Sequence, residues 1–344
     1  MKAARFNADA KKLFVADVPD PEPGPLDVVV KVEACGICLS DVHLIDGSIP
    51  PIVPEVTPGH EPSGVIAKTG ELVTGWKEGD RVVLNGGKAC GQCANCSIGR
   101  LEQCLQFNIM GFHYDGSWAE HVVVPYYAMS RVPDGLPFEQ VAILADAVAT
   151  PFAALTTRGG LKPGEKVGLW GIGGLGTHAV QLARICGAGF IVALDPLPSA
   201  RERALSLGAD LALDPTEPDV ARKLRDLPGG GLDLAVDLVG KNVVMQQCVS
   251  SLGRGGRAVM VGLSLENLEL EMSLLFGVQQ HAVLGHLGYE RSHLDALVAL
   301  LANGRLDLSG SISDVMPLDD IEEGVRRLAE KDGDPVRLIV KPGA

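Results

Sequence analysis

One stretch narrows the choice of fold more than any other. Val167-Gly168-Leu169-Trp170-Gly171-Ile172-Gly173-Gly174-Leu175-Gly176 runs from a strand-like segment through G-x-G-G-x-G into the amphipathic run Thr177 to Cys186. Its glycines divide the work: Gly171 permits a tight turn, Gly173 lets backbone approach a pyrophosphate, and Gly176 lets helix and strand pack closely. Phosphate would rest on the helix N-terminus, beside Gly174 and Leu175. Strand-like runs then alternate with amphipathic segments at 167–170, 191–195, 211–213, 233–239, 257–261 and 282–284. Six such strands with helices between them predict an α/β domain with a doubly wound parallel sheet.

Asp195 closes the second of these strands, 19 residues after Gly176. A carboxylate there would accept hydrogen bonds from the adenosine ribose hydroxyls, which favours NAD. A 2′-phosphate would meet like charge, so NADP fits less well, although Arg201 would soften the preference. The plainer reading of the same residues is a Gly-rich turn and a strand-ending aspartate.

The first 145 or so residues differ in kind, with short Val-rich runs (28–30, 81–84, 121–124) divided by Pro and Gly clusters. That is a β-rich, loop-rich pattern. After His286 come two helical stretches, 292–302 and 319–329, and a last strand at 336–341. The expected organisation is a split domain, residues 1–148 with 287–344, into which residues 149–286 are inserted. With 344 residues the chain exceeds what one core supports.

The formal charge of −13 opposes attraction to nucleic acid or an anionic membrane surface. The start of the sequence carries no basic stretch followed by an apolar run, and no window approaches the roughly 18 apolar residues of a membrane span. A cytoplasmic enzyme acting on small molecules is the expectation.

Of eight cysteines, Cys90, Cys93, Cys96 and Cys104 fall within 15 residues, separated by two, two and seven. Four thiolates so spaced can close a tetrahedral shell around one structural zinc, and disulfides or inert thiols are the alternative. A second set is dispersed: Cys38 with Asp41 and His43, then His60-Glu61, then Asp146. Cys38, His60 and Asp146 would give a zinc one thiolate, one imidazole and one carboxylate while keeping a position open. Spacing alone does not bring them together. Cys35, Cys186 and Cys248 read as small buried hydrophobes.

Cys35-Gly36-Ile37-Cys38-Leu39-Ser40-Asp41-Val42-His43, Gly59-His60-Glu61-Pro62-Ser63-Gly64, the four-cysteine loop and Gly171 to Gly176, in that order, resemble the zinc-containing alcohol dehydrogenases of the medium-chain dehydrogenase/reductase family. The resemblance covers essentially the whole chain. It implies a Rossmann domain inserted in a β-rich, GroES-like catalytic domain, two zinc ions per subunit and a nicotinamide dinucleotide. Cys38, His60 and Asp146 match the catalytic zinc ligands, and Glu61 matches a carboxylate that approaches the metal. Many family members have cysteine in place of Asp146; if Asp146 is not the ligand, Glu61 is its replacement. Asp41 would orient His60. Thr150, matching a residue packed on the nicotinamide, joins Val261 and Arg337 in the cofactor set, Arg337 as the one that reaches the pyrophosphate. Gly86, Ile109 and Leu287 align with substrate-pocket positions.

The implied chemistry is hydride exchange between a primary or secondary alcohol and NAD. Ser40 would touch the substrate hydroxyl and pass its proton, through a cofactor ribose hydroxyl, to His43 as terminal base. A homodimer or homotetramer is expected. Within the same fold, a polyol dehydrogenase or a reductase of carbonyls or conjugated alkenes is an alternative; a non-catalytic dinucleotide-binding redox sensor is another.

Overall fold

The structure, a computed structural model, describes residues 1–270 and 273–344. The chain divides into two compact units: Met1–Ala147 with Tyr289–Ala344, and Val148–Gly288.

The first unit is built on a seven-stranded sheet whose longest member is Asp27–Ile37. Its β-branched run buries Val28, Val30 and Val32 and leaves Lys31 exposed. One edge pairs antiparallel with Glu61–Thr69, beyond which lie Arg81–Leu84 and Met129–Arg131. The other edge is shared, since residues 27–31 take His121–Pro125 and residues 35–37 take Arg337–Lys341. The C-terminal strand is thereby woven into the N-terminal sheet, with Ile312–Pro317 parallel to its far side. The helix Ile321–Glu330 sends Ile321, Val325 and Leu328 into the same core as Ile37, Leu338 and Val340. That i, i+4, i+7 spacing is one helical face, and each fully buried aliphatic side chain is worth about 1.5–3 kcal/mol.

Two ligand-bearing segments meet in this sheet because Gly36 lies opposite Glu61. A Cβ on Gly36 would fall 1.9 Å from Glu61 Oε2. Only glycine leaves room for the carboxylate to lie across the strand.

The second unit holds a six-stranded, wholly parallel sheet. Its order is Leu211–Leu213, Phe190–Leu194, Lys166–Trp170, Leu232–Asp237, Leu252–Met260, Ala282–Gly285. The order turns between Lys166–Trp170 and Leu232–Asp237, which is the doubly wound arrangement expected from the alternating pattern. Trp170, Val192, Leu194, Ala235 and Ala258 pack with Val220, Leu224, Met245 and Cys248 of the helices Val220–Arg225 and Asn242–Ser250. The intervening Leu169, Ile191 and Ala193 are also buried, so both faces of the sheet are covered. No single helix among the described residues is long and apolar enough to cross a membrane.

Candidate functional site

Cys38 leaves the strand Asp27–Ile37 and precedes the helix Leu39–Asp46. Its N–H donates to Asp41 Oδ2 at 2.9 Å, closing the helix start. Asp41 is completely buried, and its Oδ1 accepts from Gly59 N–H at 3.3 Å and lies 3.1 Å from His60 Nδ1. A carboxylate on Nδ1 fixes the proton there and leaves Nε2 as the free lone pair. That Nε2 is 3.8 Å from Asp146 Oδ2, which in turn is 3.3 Å from Cys38 Sγ. Ligand atoms of Cys38, His60, Glu61 and Asp146 all lie within 4.8 Å of one another.

The donor set suits a dication. Burial raises the Cys38 thiol pKa, and the Asp146 carboxylate raises it further. Burial pushes Glu61 up to about 8, with Asp146 adding to it and Arg337 opposing. Burial disfavours charge on His60, yet the Asp41 and Asp146 carboxylates outweigh it and lift its pKa well above the usual histidine value. Such crowding of buried acidic groups is relieved by one cation at their centre. Both Glu61 oxygens are buried without hydrogen bonds, although Oε1 stands 2.9 Å from Arg337 Nη2.

Ser40 Oγ lies 3.3 Å from His60 Nε2. His43 is one turn further along the same helix, partly exposed, with Nδ1 3.7 Å from Asp46 Oδ2. No hydrogen bond joins Ser40 to His43 among the described residues, so a proton passing between them needs an intermediary hydroxyl.

The four-cysteine loop converges as well. Sγ separations are 3.5 Å for Cys93–Cys96 and 4.0 Å for Cys90–Cys96 and Cys93–Cys104. Zn–S bonds of about 2.3 Å make a tetrahedron with edges of about 3.8 Å. Backbone N–H groups of Cys90 and Gln106 donate to Cys104 Sγ. The N–H groups of Leu105 and Cys96 draw Cys93 down to about 6, while burial pushes Cys96 up to about 12. The short helix Ala94–Ser97 and the turn Leu101–Gln103 present the thiols inward. Thiolates held by amide donors are ready metal ligands. These two clusters are the only such groups of three or more His, Cys, Asp and Glu among the described residues.

In the second unit Gly171 has φ +88°, in the left-handed region that glycine adopts freely. A Cβ on Gly176 would fall 1.9 Å from the Gly171 carbonyl oxygen, whereas one on Gly173 would meet nothing within 4 Å. The turn is thus tight on one side and open on the other. Leu175 precedes the helix Gly176–Ile185, with Gly174 beside it and no side-chain cap at its N-cap position, so the positive end of a helix lies at the end of the glycine loop, where an anion is favoured. Asp195 Oδ2 accepts from Ile172 N–H at 2.8 Å and Oδ1 from Leu197 N–H at 2.9 Å. The carboxylate expected to meet a ribose therefore also braces the glycine loop. Thr150 is buried on Ala149–Ala153, its carbonyl 3.1 Å from His286 Nε2; Val261 is buried and donates to the Asp237 carbonyl.

Arg337 opens the C-terminal strand Arg337–Lys341. It belongs to the first unit, where its guanidinium is 2% exposed, faces Glu61 and donates to the Ile37 carbonyl at 3.3 Å. Pairing of Leu338 with Ile37 and of Gly36 with Glu61 sets that position. Sequence reasoning also passed over Tyr289, whose hydroxyl reaches Gly86 and Ala145 from far along the chain. Nothing local in the sequence signals it.

Residues 24–134 match the alcohol dehydrogenase GroES-like domain, and residues 174–303 match the zinc-binding dehydrogenase domain. An alcohol dehydrogenase of Geobacillus stearothermophilus is 35% identical over 333 residues, covering 95% of this chain and 96% of that protein. The solved alcohol dehydrogenase of Thermus sp. ATN1 superposes with a TM-score of 0.91 at 29% identity, covering 99% of both chains. A protein described as a zinc-binding dehydrogenase of Sinorhizobium meliloti 1021, bound to NADP, gives a TM-score of 0.90 at 30% identity over 99% of both chains.

Proposed function

We infer, for a chain that belongs to the zinc-type alcohol dehydrogenases of the medium-chain dehydrogenase/reductase family, that Cys38, His60 and Asp146 hold a catalytic zinc while Cys90, Cys93, Cys96 and Cys104 hold a structural one. The reaction is hydride exchange between a primary or secondary alcohol and a nicotinamide cofactor. The observation that carries the assignment is the meeting of Cys38 Sγ, His60 Nε2 and Asp146 Oδ2 around one point with Ser40 Oγ at its edge. When bound, zinc supplies a Lewis acid for the alcohol oxygen and the dinucleotide supplies the hydride acceptor.

The chain's own residues do the rest. Asp41 locks the His60 ring so that Nε2 points to the donors. Ser40 Oγ accepts the substrate proton as it donates its own to an intermediary hydroxyl, and His43, partly exposed at the end of the relay, receives a proton and hands it to solvent. Glu61 sits behind the ligands as a reserve carboxylate balanced by Arg337. Gly171 to Gly176 hold the pyrophosphate.

NAD is the preferred cofactor, because the buried Asp195 at the loop opposes a 2′-phosphate. The subunits form a homodimer or homotetramer. Leu263, Leu265 and Leu274, 53%, 81% and 75% exposed, support an apolar contact face on the second unit. The five cysteines assigned to zinc act as thiolates, which suits the reducing cytoplasm. An alcohol and aldehyde panel against NAD and NADP, with zinc counted per chain, tests the whole reading. Two zinc ions and NAD-linked turnover support it; a single zinc confined to the Cys90 to Cys104 loop overturns it.

A further inference from the structure

Tyr289 opens the returning segment of the first unit. Its side chain is 8% exposed, and its hydroxyl makes two contacts. It donates to the carbonyl of Ala145 and accepts the N–H of Gly86 at 3.3 Å. Ala145 ends the single turn Ile143–Ala145. Carbonyls at the end of so short a helix have no intrahelical donor. The phenol supplies one.

Both contacts adjoin metal ligands. Asp146 follows Ala145 directly, with φ −152° and ψ −58°, and its Oδ2 lies 3.3 Å from Cys38 Sγ. Gly86 stands against His60: a Cβ built on it would come within 3.1 Å of the His60 carbonyl oxygen and 3.5 Å of the His60 Cβ. A phenol is protonated at neutral pH and so able to donate.

We propose that Tyr289 is a positioning residue for the Cys38–His60–Asp146 centre, its hydroxyl tying the turn that presents Asp146 to the Gly86 segment packed on His60. The inference rests on reading that centre as the catalytic zinc site. A ligand set tolerates little drift in donor placement, so a bridge between two ligand-bearing segments governs how long the metal stays and how well it is presented. Removing the hydroxyl leaves the Ala145 carbonyl and the Gly86 N–H enclosed without this partner, and the Asp146 turn loses its tie.

Tyr127 offers the control. Its hydroxyl donates to the Ala89 carbonyl at 2.7 Å and accepts the Ala89 N–H at 3.2 Å, next to Cys90. The same deletion there acts on the other cluster.

The test compares Tyr289→Phe and Tyr127→Phe in the zinc-loaded full chain. Zinc release to a chelator, the thermal unfolding midpoint, and kcat and KM for an alcohol are measured. For Tyr289→Phe the expected result is release of one zinc about tenfold faster, the other at the wild-type rate, a midpoint lowered by only a few degrees, and kcat/KM reduced about tenfold. Tyr127→Phe accelerates release of the zinc that Tyr289→Phe leaves alone. Wild-type release of both ions from Tyr289→Phe overturns the proposal. Equal acceleration of both, or loss of the fold, also overturns it, because that is a general structural role. Wild-type protein that carries a single zinc in the Cys90 to Cys104 loop fails the functional reading itself, and the Tyr289 proposal with it.

Discussion

Asp41 and His60 are joined at 3.1 Å between Oδ1 and Nδ1, and the same buried carboxylate accepts the backbone N–H groups of Gly59 and Cys38. One side chain thus fixes the imidazole, the segment before it and the start of the helix that carries Ser40. Its charge raises the basicity of the imidazole while its second oxygen secures the thiol-bearing residue.

Asp41→Asn keeps the shape and removes the charge. Zinc affinity at the Cys38 centre is expected to fall roughly 10- to 100-fold, with the Cys90 to Cys104 zinc retained. Chelator competition measures both ions. Unaltered affinity would remove Asp41 from the support of the site.

Ser40→Ala deletes the hydroxyl beside His60 Nε2. Turnover should drop about 10²- to 10⁴-fold, the usual worth of a positioned proton-transfer group, with zinc content unchanged. His43→Gln should instead shift the pH profile of kcat, because the terminal base is lost and the relay remains. A Ser40→Ala enzyme with wild-type turnover would take Ser40 out of the proton path.

Asp195→Ala removes an acceptor for Ile172 and Leu197 N–H as well as a charge. Kd for NAD should rise, and the ratio of NADP to NAD in kcat/KM should increase by about tenfold or more, since one repulsion of about 1.4 kcal/mol is a factor of ten. Steady-state kinetics with both cofactors decide it. An unchanged ratio would place cofactor selection elsewhere.

Arg257 clamps Glu165 with contacts of 2.7 and 3.0 Å, and both side chains are largely enclosed. Burial alone would raise the Glu165 pKa, but Arg257 and the Lys162 N–H outweigh it and hold it below the usual value. A depressed folded pKa adds stability above the unfolded value of about 4.3. That stability is lost as pH falls through the folded pKa. Glu165→Gln should lower the unfolding midpoint of the second unit at pH 7 and flatten its decline below about pH 4.5. Arg257→Met should cost about 2 kcal/mol, less than a fully buried pair, as read from calorimetric melts. Parallel acid-side curves for wild type and Glu165→Gln would refute the linkage.

The parallel sheet was legible because apolar runs and amphipathic runs alternate with lengths that only strands and helices satisfy. The strand Leu252–Met260 begins five residues before its expected start at 257. Gly253, Gly255 and Gly256 weaken the strand signal, yet each has a reason: a Cβ on Gly253 would lie 2.4 Å from the Gly230 carbonyl oxygen and one on Gly256 2.8 Å from the Leu232 carbonyl oxygen, while Gly255 has φ +76°. Around the Cys38 centre, sequence can name candidate ligands but cannot show that Cys38 and Asp146, 108 residues apart, approach within 3.3 Å. The Glu61–Arg337 contact was likewise invisible, because it follows from strand register, which the residues themselves do not spell out.

The pairing of Arg337–Lys341 with the strand Asp27–Ile37 bears on how the chain matures during synthesis. Val148–Gly288 is contiguous and has its whole sheet as soon as it leaves the ribosome. The sheet that carries Glu61 and leads into Cys38 waits, with residues 35–37 unpaired on one side, until Arg337–Lys341 emerge. A message cut short before codon 337 would yield a nascent protein with a finished nucleotide-binding half and a Glu61 that never meets its counter-ion.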